Sequence, residues 1–126
     1  MAKEVVYSPN APEPIGPYSQ AIKVGNMLFV SGQVAIQKPS GDLITGNITD
    51  ESHQVMKNLE AVLSAGGMGF SNVVKTTIFL KDMSNFPKVN EVYGSYFRDQ
   101  PPARETVEVS RLPKDVNVEI SCIAVK

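Results

Sequence analysis

The chain has 126 residues, a formal net charge of -1 and one cysteine. Charges of both signs are scattered, with neither a basic stripe nor an acidic tail, so nothing marks a nucleic-acid partner, and a lone cysteine excludes an internal disulfide framework. The N-terminus lacks a signal-peptide apolar core and no apolar run approaches the ~20 residues of a membrane span, so the expectation is one soluble, cytoplasmic domain over residues 1–126.

Val5-Val6-Tyr7 reads as a short strand. Residues 8–17 hold four prolines and Gly16 and read as an ordered loop, because Gly16-Pro17-Tyr18-Ser19-Gln20-Ala21 runs straight into a hairpin. That hairpin has strands Ala21 to Val24 and Met27 to Val30 around a Gly25-Asn26 turn. Ser31-Gly32-Gln33 ends it, and Pro39-Ser40-Gly41-Asp42 and Gly46-Asn47 are turns. A first helix is predicted from about Asp50 to Ala65, capped by Thr49 or Asp50, with Val55, Leu59, Val62 and Leu63 as its apolar stripe. Gly66-Gly67 stops it. Val73 to Leu80 is a strand. Ser84 or Asn85 caps a second helix with Pro87 in its first turn, and Val89, Val92, Tyr93, Tyr96 and Phe97 make its buried side.

Two strands close the chain. Pro101-Pro102 cannot donate to a sheet ladder, so the first strand opens at about Arg104. The second, Val116 to Val125, is apolar apart from Glu119 and two small polar residues. A charge in such a strand needs a partner, a wet cleft or a function. Placed on neighbouring strands, Arg104 and Glu119 would either hold and act on a small anion or form a structural ion pair, and spacing alone does not separate the two. The fold class is α+β, with two helices on one face of the sheet.

Other features favour plain structural roles. His53, the only histidine, reads as a solvated helix residue. One histidine and one cysteine cannot build a zinc site or a Cys–His dyad. Cys122 shares strand parity with Val118, Ile120 and Ala124, so it belongs to the core. Gly66-Gly67-Met68-Gly69 follows a helix rather than opening one, so it is no phosphate cradle. Tyr93, Tyr96 and Phe97 at helical spacing are core. Taken singly, Tyr18 fits a rigid turn, Ser31-Gly32 a strand end and Asn90 an ordinary polar helix position.

Taken together, the segments resemble the RidA family, also called the YjgF/YER057c/UK114 family. The matching pieces are Gly16-Pro17-Tyr18-Ser19-Gln20-Ala21, Ser31-Gly32-Gln33, Ala65-Gly66, Val74-Lys75-Thr76-Thr77, Phe86 with Val89-Asn90 and Tyr93, Pro102-Ala103-Arg104, Leu112-Pro113 and Val118-Glu119-Ile120. They span nearly the whole chain in the family's order. The resemblance implies a chorismate-mutase-like fold with a mixed β-sheet, and a homotrimer with sites at subunit contacts. It also implies hydrolysis of 2-imino acids (2-iminobutanoate, 2-iminopropanoate) to 2-oxo acids and ammonia. That activity removes imines derived from enamines such as 2-aminoacrylate, which pyridoxal-phosphate dehydratases release. By the same resemblance Arg104 grips the substrate carboxylate, Glu119 handles the attacking water, Tyr18, Ser31, Gly32 and Asn90 line the pocket, and Thr106 lies at its floor. Many members carry cysteine at the position of Thr106, and many read Glu-Ile-Glu where this chain has Glu119-Ile120-Ser121. Neither change removes the two residues that matter for the chemistry.

Those residue types suit that reaction. A guanidinium fork binds a carboxylate through two parallel bonds, which lysine cannot copy, and a glutamate can take a proton from water and return it to the departing amine. No cofactor or metal is implied. A carboxylate-binding regulator and a chaperone-like or nucleic-acid-acting protein of the same fold are the rival readings; the presence of both Arg104 and Glu119 favours the enzyme over the first, and the balanced charge counts against nucleic acid. Met27 and Phe29 point to one face of the sheet, Leu28 and Val30 to the other. Ile123 and Val125 share a face with Glu119. Each helix has a single apolar stripe, so the second face is expected to pack against another subunit, with the catalytic cleft built partly from a neighbouring chain.

Overall fold

The computed structural model describes residues 2–126. Its elements are β1 (Glu4–Val6), β2 (Ala21–Val24), β3 (Met27–Gln33), α1 (Ile48–Ala65), β4 (Val73–Leu80), α2 (Phe86–Tyr96), β5 (Ala103–Glu108) and β6 (Val118–Val125), in the anticipated order. The strands form one six-stranded sheet, β1-β2-β3-β6-β4-β5. Every pair is antiparallel except β4–β5. That exception follows from the connection, since a helical crossover such as α2 delivers the next strand parallel to the last.

Strand alternation sets the layers. Leu28 and Val30 of β3, Thr76, Ile78 and Leu80 of β4, and Val118, Ile120, Cys122 and Ala124 of β6 are all buried. They form the helix-side face, against which α1 turns Val55, Leu59, Val62 and Leu63 and α2 turns Val89, Val92 and Tyr93. Removing side chains of this size from water contributes about 2 kcal/mol each. The other face is open. Phe29 is 41% exposed and Val107 42%, and Ile22, Met27, Phe79, Ile123 and Val125 are partly exposed. Register sets Ile22, Phe29 and Ile123 side by side there. The two helices cover one face only, as their single stripes require.

Several local expectations are revised. α1 begins at Ile48, capped by Asn47 and not by Thr49 or Asp50: the Asn47 side chain accepts from the Asp50 amide at 2.8 Å. Starting two residues earlier puts Ile48 inside the helix, where it is buried. Asn85 stands at the N-cap of α2 without a side-chain cap bond. The capping carboxylate is Asp82, which accepts from the Ser84 amide at 2.9 Å and starts a 3₁₀ turn leading into the helix. His53 is not a freely solvated residue. It is half-buried, its Nδ1 lies 2.9 Å from the Tyr96 hydroxyl, and it ties α1 to α2. Gly66-Gly67 stops α1 as expected: Gly67 takes φ +76°, and the Gly67 and Met68 amides return to Ser64 and Leu63 carbonyls.

Two buried polar side chains brace the regions that later form the site. Gln20 pins the proline-rich loop by accepting from the Ser8 amide at 2.6 Å and donating to the Ser8 and Pro12 carbonyls at 3.1 and 2.9 Å. Glu51 is fully buried and accepts from the Asn117 amide, the Asn117 side chain and the Val118 amide at 2.7, 2.7 and 3.2 Å. It therefore fixes where β6 begins, one residue before Glu119.

Candidate active site

Glu119 lies on the open face, alternating with buried Val118 and Ile120. Its position depends on an irregularity in β3. Val30 pairs with Cys122 and Gln33 with Ile120, so Ser31 and Gly32 together oppose Ser121 alone. This is a β-bulge. It brings Gly32 against the Glu119 side chain: a Cβ at Gly32 would lie 2.7 Å from the Glu119 carboxyl carbon. Ser31 is fixed by its amide, which donates to the Gln20 carbonyl at 2.9 Å, and by its hydroxyl, which donates to the Ser19 carbonyl at 2.6 Å.

A pocket of about 350 Å³ opens here, and Tyr18, Ser31, Gly32 and Glu119 line it together with apolar Ile15, Val34 and Ile36. Tyr18 is held by a tight turn over Pro17, its amide bonded to the Gly16 carbonyl at 2.8 Å. Its ring stays 48% exposed at the pocket mouth. Half-burial pushes the Glu119 carboxyl pKa up, through desolvation of the charged form. Pro113 and Lys114 form another part of the rim. Lys114 and Asp115 both take left-handed backbone, φ 58° and 54°, and Asp115 is held by Arg111 through bonds of 2.7 and 3.2 Å.

Arg104 is elsewhere. The expectation that it neighbours Glu119 within one chain is overturned, because β4 separates β5 from β6. Arg104 pairs with Thr76, and Glu119 with Phe79. Those β4 residues differ by an odd number, so the two side chains point to opposite faces. They are also two strands apart, roughly 10 Å, and offset by roughly 10 Å along the strands. A structural ion pair between them is excluded by the same geometry. Arg104 lies instead on the helix side, where its Nη1 donates to Asn90 Oδ1 at 2.7 Å. Its guanidinium carbon sits 5.4 Å from the Phe86 ring centroid and 5.0 Å from that of Tyr93. A second cleft, about 440 Å³, is lined by Asn90, Tyr93, Gly94, Phe97, Pro102 and Arg104, with Pro101 at its edge. Thr106 points to the same side as Arg104, two residues on, and its hydroxyl oxygen is buried with no protein partner among the described residues.

The seven candidate residues thus fall into two groups: Tyr18, Ser31, Gly32 and Glu119 in one pocket, and Asn90 and Arg104 in the other cleft, with Thr106 two residues along β5 on the same side as Arg104. One group presents a carboxylate with raised proton affinity beside hydroxyl groups. The other presents a cation for which no carboxylate stands within ion-pair distance among the described residues. Cys122 plays no part, since burial in the core pushes its thiol up to about 12.

Sequence reasoning missed Phe86 and Tyr93 as neighbours of Arg104, although their spacing with Asn90 (i, i+4, i+7) marks one stripe of a helix. It also missed Glu51 as a buried clamp; a signal was there, because position 51 falls four residues before Val55 on the apolar stripe. Among the described residues no helix is long and apolar enough to cross a membrane.

The model of the family described as Endoribonuclease L-PSP matches residues 8–126. A RutC family protein of Pyrococcus horikoshii is 54% identical over 98% of this chain and 98% of its own. A Mus musculus protein named 2-iminobutanoate/2-iminopropanoate deaminase is 45% identical over 98% of this chain and 92% of its own. The crystal structure of E. coli TdcF with bound serine superposes with a TM-score of 0.94 at 35% identity, covering 98% of each chain. Nearly the whole chain is matched in each case, and the chain belongs to the Endoribonuclease L-PSP family, the YjgF/RidA family that its motifs resemble.

Proposed function

We propose that the chain is a hydrolytic deaminase of small 2-imino acids, acting as a cytoplasmic homotrimer. Each active site joins the Arg104 cleft of one subunit to the Glu119 pocket of the next. The observation that carries this reading is the placement of Arg104 and Glu119 on opposite faces of the sheet. Each group has half of what imine hydrolysis needs, and a second subunit supplies the other half. The apolar open face, with Phe29 41% exposed, offers the contact surface. The name carried by the mouse relative supports the reaction type.

In this reading the Arg104 fork holds the substrate carboxylate, which orients the electrophilic C=N carbon toward the Glu119 pocket. Glu119, ionised, takes a proton from water as the water oxygen bonds to the imine carbon. The protonated Glu119 returns that proton to the nitrogen of the tetrahedral intermediate. With the substrate entering as its iminium, the C–N bond then breaks as Glu119, ionised again, takes the hydroxyl proton; ammonia leaves, picks up that proton as ammonium, and the 2-oxo acid remains. Raised proton affinity suits a group that must both accept and return a proton near neutral pH. Tyr18 and Ser31 offer polar contacts to the nitrogen and the developing oxygen, and Thr106 closes the floor beside Arg104.

The test generates 2-iminopropanoate and 2-iminobutanoate in situ with an amino acid oxidase or a dehydratase and follows their loss. Acceleration by this protein is expected; an unchanged rate would refute the reading. A carboxylate-binding regulator is the second reading, favoured by the serine bound in the TdcF crystal. Such a protein would bind 2-oxo acids without speeding imine loss.

A further inference from the structure

Arg104 is exposed on an edge strand, where a long side chain ordinarily samples many rotamers. Here it is held from one flank of α2 by Phe86, Asn90 and Tyr93, which form a single helical stripe. Asn90 accepts from Nη1 at 2.7 Å, and the two rings lie 5.4 and 5.0 Å from the guanidinium carbon, within cation–π range. Tyr93 is itself fixed. Its hydroxyl lies 2.7 Å from the buried Thr76 Oγ1, and its ring packs 4.7 Å from that of Phe97. Thr76 is also the β4 residue in register with Arg104, so strand, ring and guanidinium are located by one another.

All three contacts come from uncharged groups. An amide oxygen and two ring faces orient a guanidinium while leaving its net charge uncompensated. A carboxylate at position 90 would orient it equally well and neutralise it. We propose that Phe86, Asn90 and Tyr93 are positioning residues that hold Arg104 ready for an anion, and that they set the preference of the site for carboxylates over neutral ligands. Asn90 then acts on the substrate through Arg104, not as a direct ligand. The inference rests on the reading of Arg104 as a carboxylate clamp.

The experiment compares binding of 2-oxobutanoate with that of its neutral isostere, 2-oxobutanamide, by calorimetry on the assembled protein. Wild type should favour the carboxylate. Asn90→Asp should reduce that preference at least tenfold, the loss falling mainly on the carboxylate, because Arg104 would be paired internally. Tyr93→Leu should reduce it about fivefold, and Tyr93→Phe, which keeps the ring, should retain it. In the imine assay Asn90→Ala should raise KM and leave kcat nearly unchanged. If Tyr93→Leu does not fold, the half-buried Asn90 variants carry the test, since they leave the core intact. Suppose Arg104→Ala abolishes the preference while Asn90→Asp and Tyr93→Leu keep it, or weaken both ligands equally. The stripe is then packing only, and the inference is overturned. An undiminished preference in Arg104→Ala would instead show that Arg104 is no carboxylate clamp, and the inference would fall with that reading.

Discussion

Gly32 and Glu119 are in contact such that no side chain fits between them: a Cβ on Gly32 would stand 2.7 Å from the carboxyl carbon and 3.0 Å from Cγ of Glu119. The β3 bulge and the carboxylate therefore form one unit. Gly32 has ordinary negative-φ backbone, so the need for glycine is one of space and not of conformation.

Gly32→Ala should therefore displace the Glu119 carboxylate with little effect on folding. A misplacement of about 1 Å lowers turnover on the order of a hundredfold. The check is kcat for imine hydrolysis beside a melting curve. Wild-type kcat in a folded Gly32→Ala protein would show that the carboxylate position is not critical.

Glu119 titrates higher in the folded chain than a free carboxyl, because burial disfavours its charge. Its contribution to stability is complete below the ordinary carboxylate pKa and is lost as pH rises through the raised folded value. Ionised Glu119 thus strains the native state at neutral pH. Glu119→Gln should melt higher than wild type at about pH 7.5, with the gap closing toward about pH 4. The same variant should lose two to four orders of magnitude, roughly, in turnover while still binding 2-oxo acids. A variant that keeps kcat but no longer binds the 2-oxo acid would assign Glu119 to positioning.

Arg104→Ala should lower kcat/KM by about a hundredfold or more, and Arg104→Lys should recover little, because an ammonium cannot offer two parallel bonds. Steady-state kinetics on both variants decides it. Full recovery by lysine would mean that charge alone matters at this position.

Glu51 binds three donors at the start of β6 from a fully buried position. Glu51→Ala would leave those donors unpaired and should destabilise the protein by roughly 3 kcal/mol. Denaturant unfolding measures it. A loss below about 1 kcal/mol would show that solvent reaches the site and replaces the carboxylate.

Most elements were legible because their signals are local. Runs of β-favouring and apolar residues marked β4 and β6, the Gly25-Asn26 turn marked the β2–β3 hairpin, and the double glycine stopped α1. Sheet order was not local. Arg104 and Glu119 seemed neighbours because consecutive strands usually pair. Yet α2 obliges β5 to lie parallel beside β4, and β6 then fills the gap between β3 and β4. The α1 cap was misplaced for a related reason. Asn47, Thr49 and Asp50 can all cap, and only the burial of Ile48 against the core selects Asn47. Of the candidate site, the residue types were readable from the motifs. The separation into two groups was not, since it follows from the parity of Thr76 and Phe79 on an intervening strand.

The most direct test of a site shared between subunits is complementation. Arg104→Ala and Glu119→Gln chains, each inactive alone, are unfolded together, refolded as a mixture and assayed for imine hydrolysis. If each site takes Arg104 from one subunit and Glu119 from its neighbour, random reassembly into a closed ring restores about a quarter of wild-type activity. A mixture that assembles but stays as inactive as either parent would contradict the shared site.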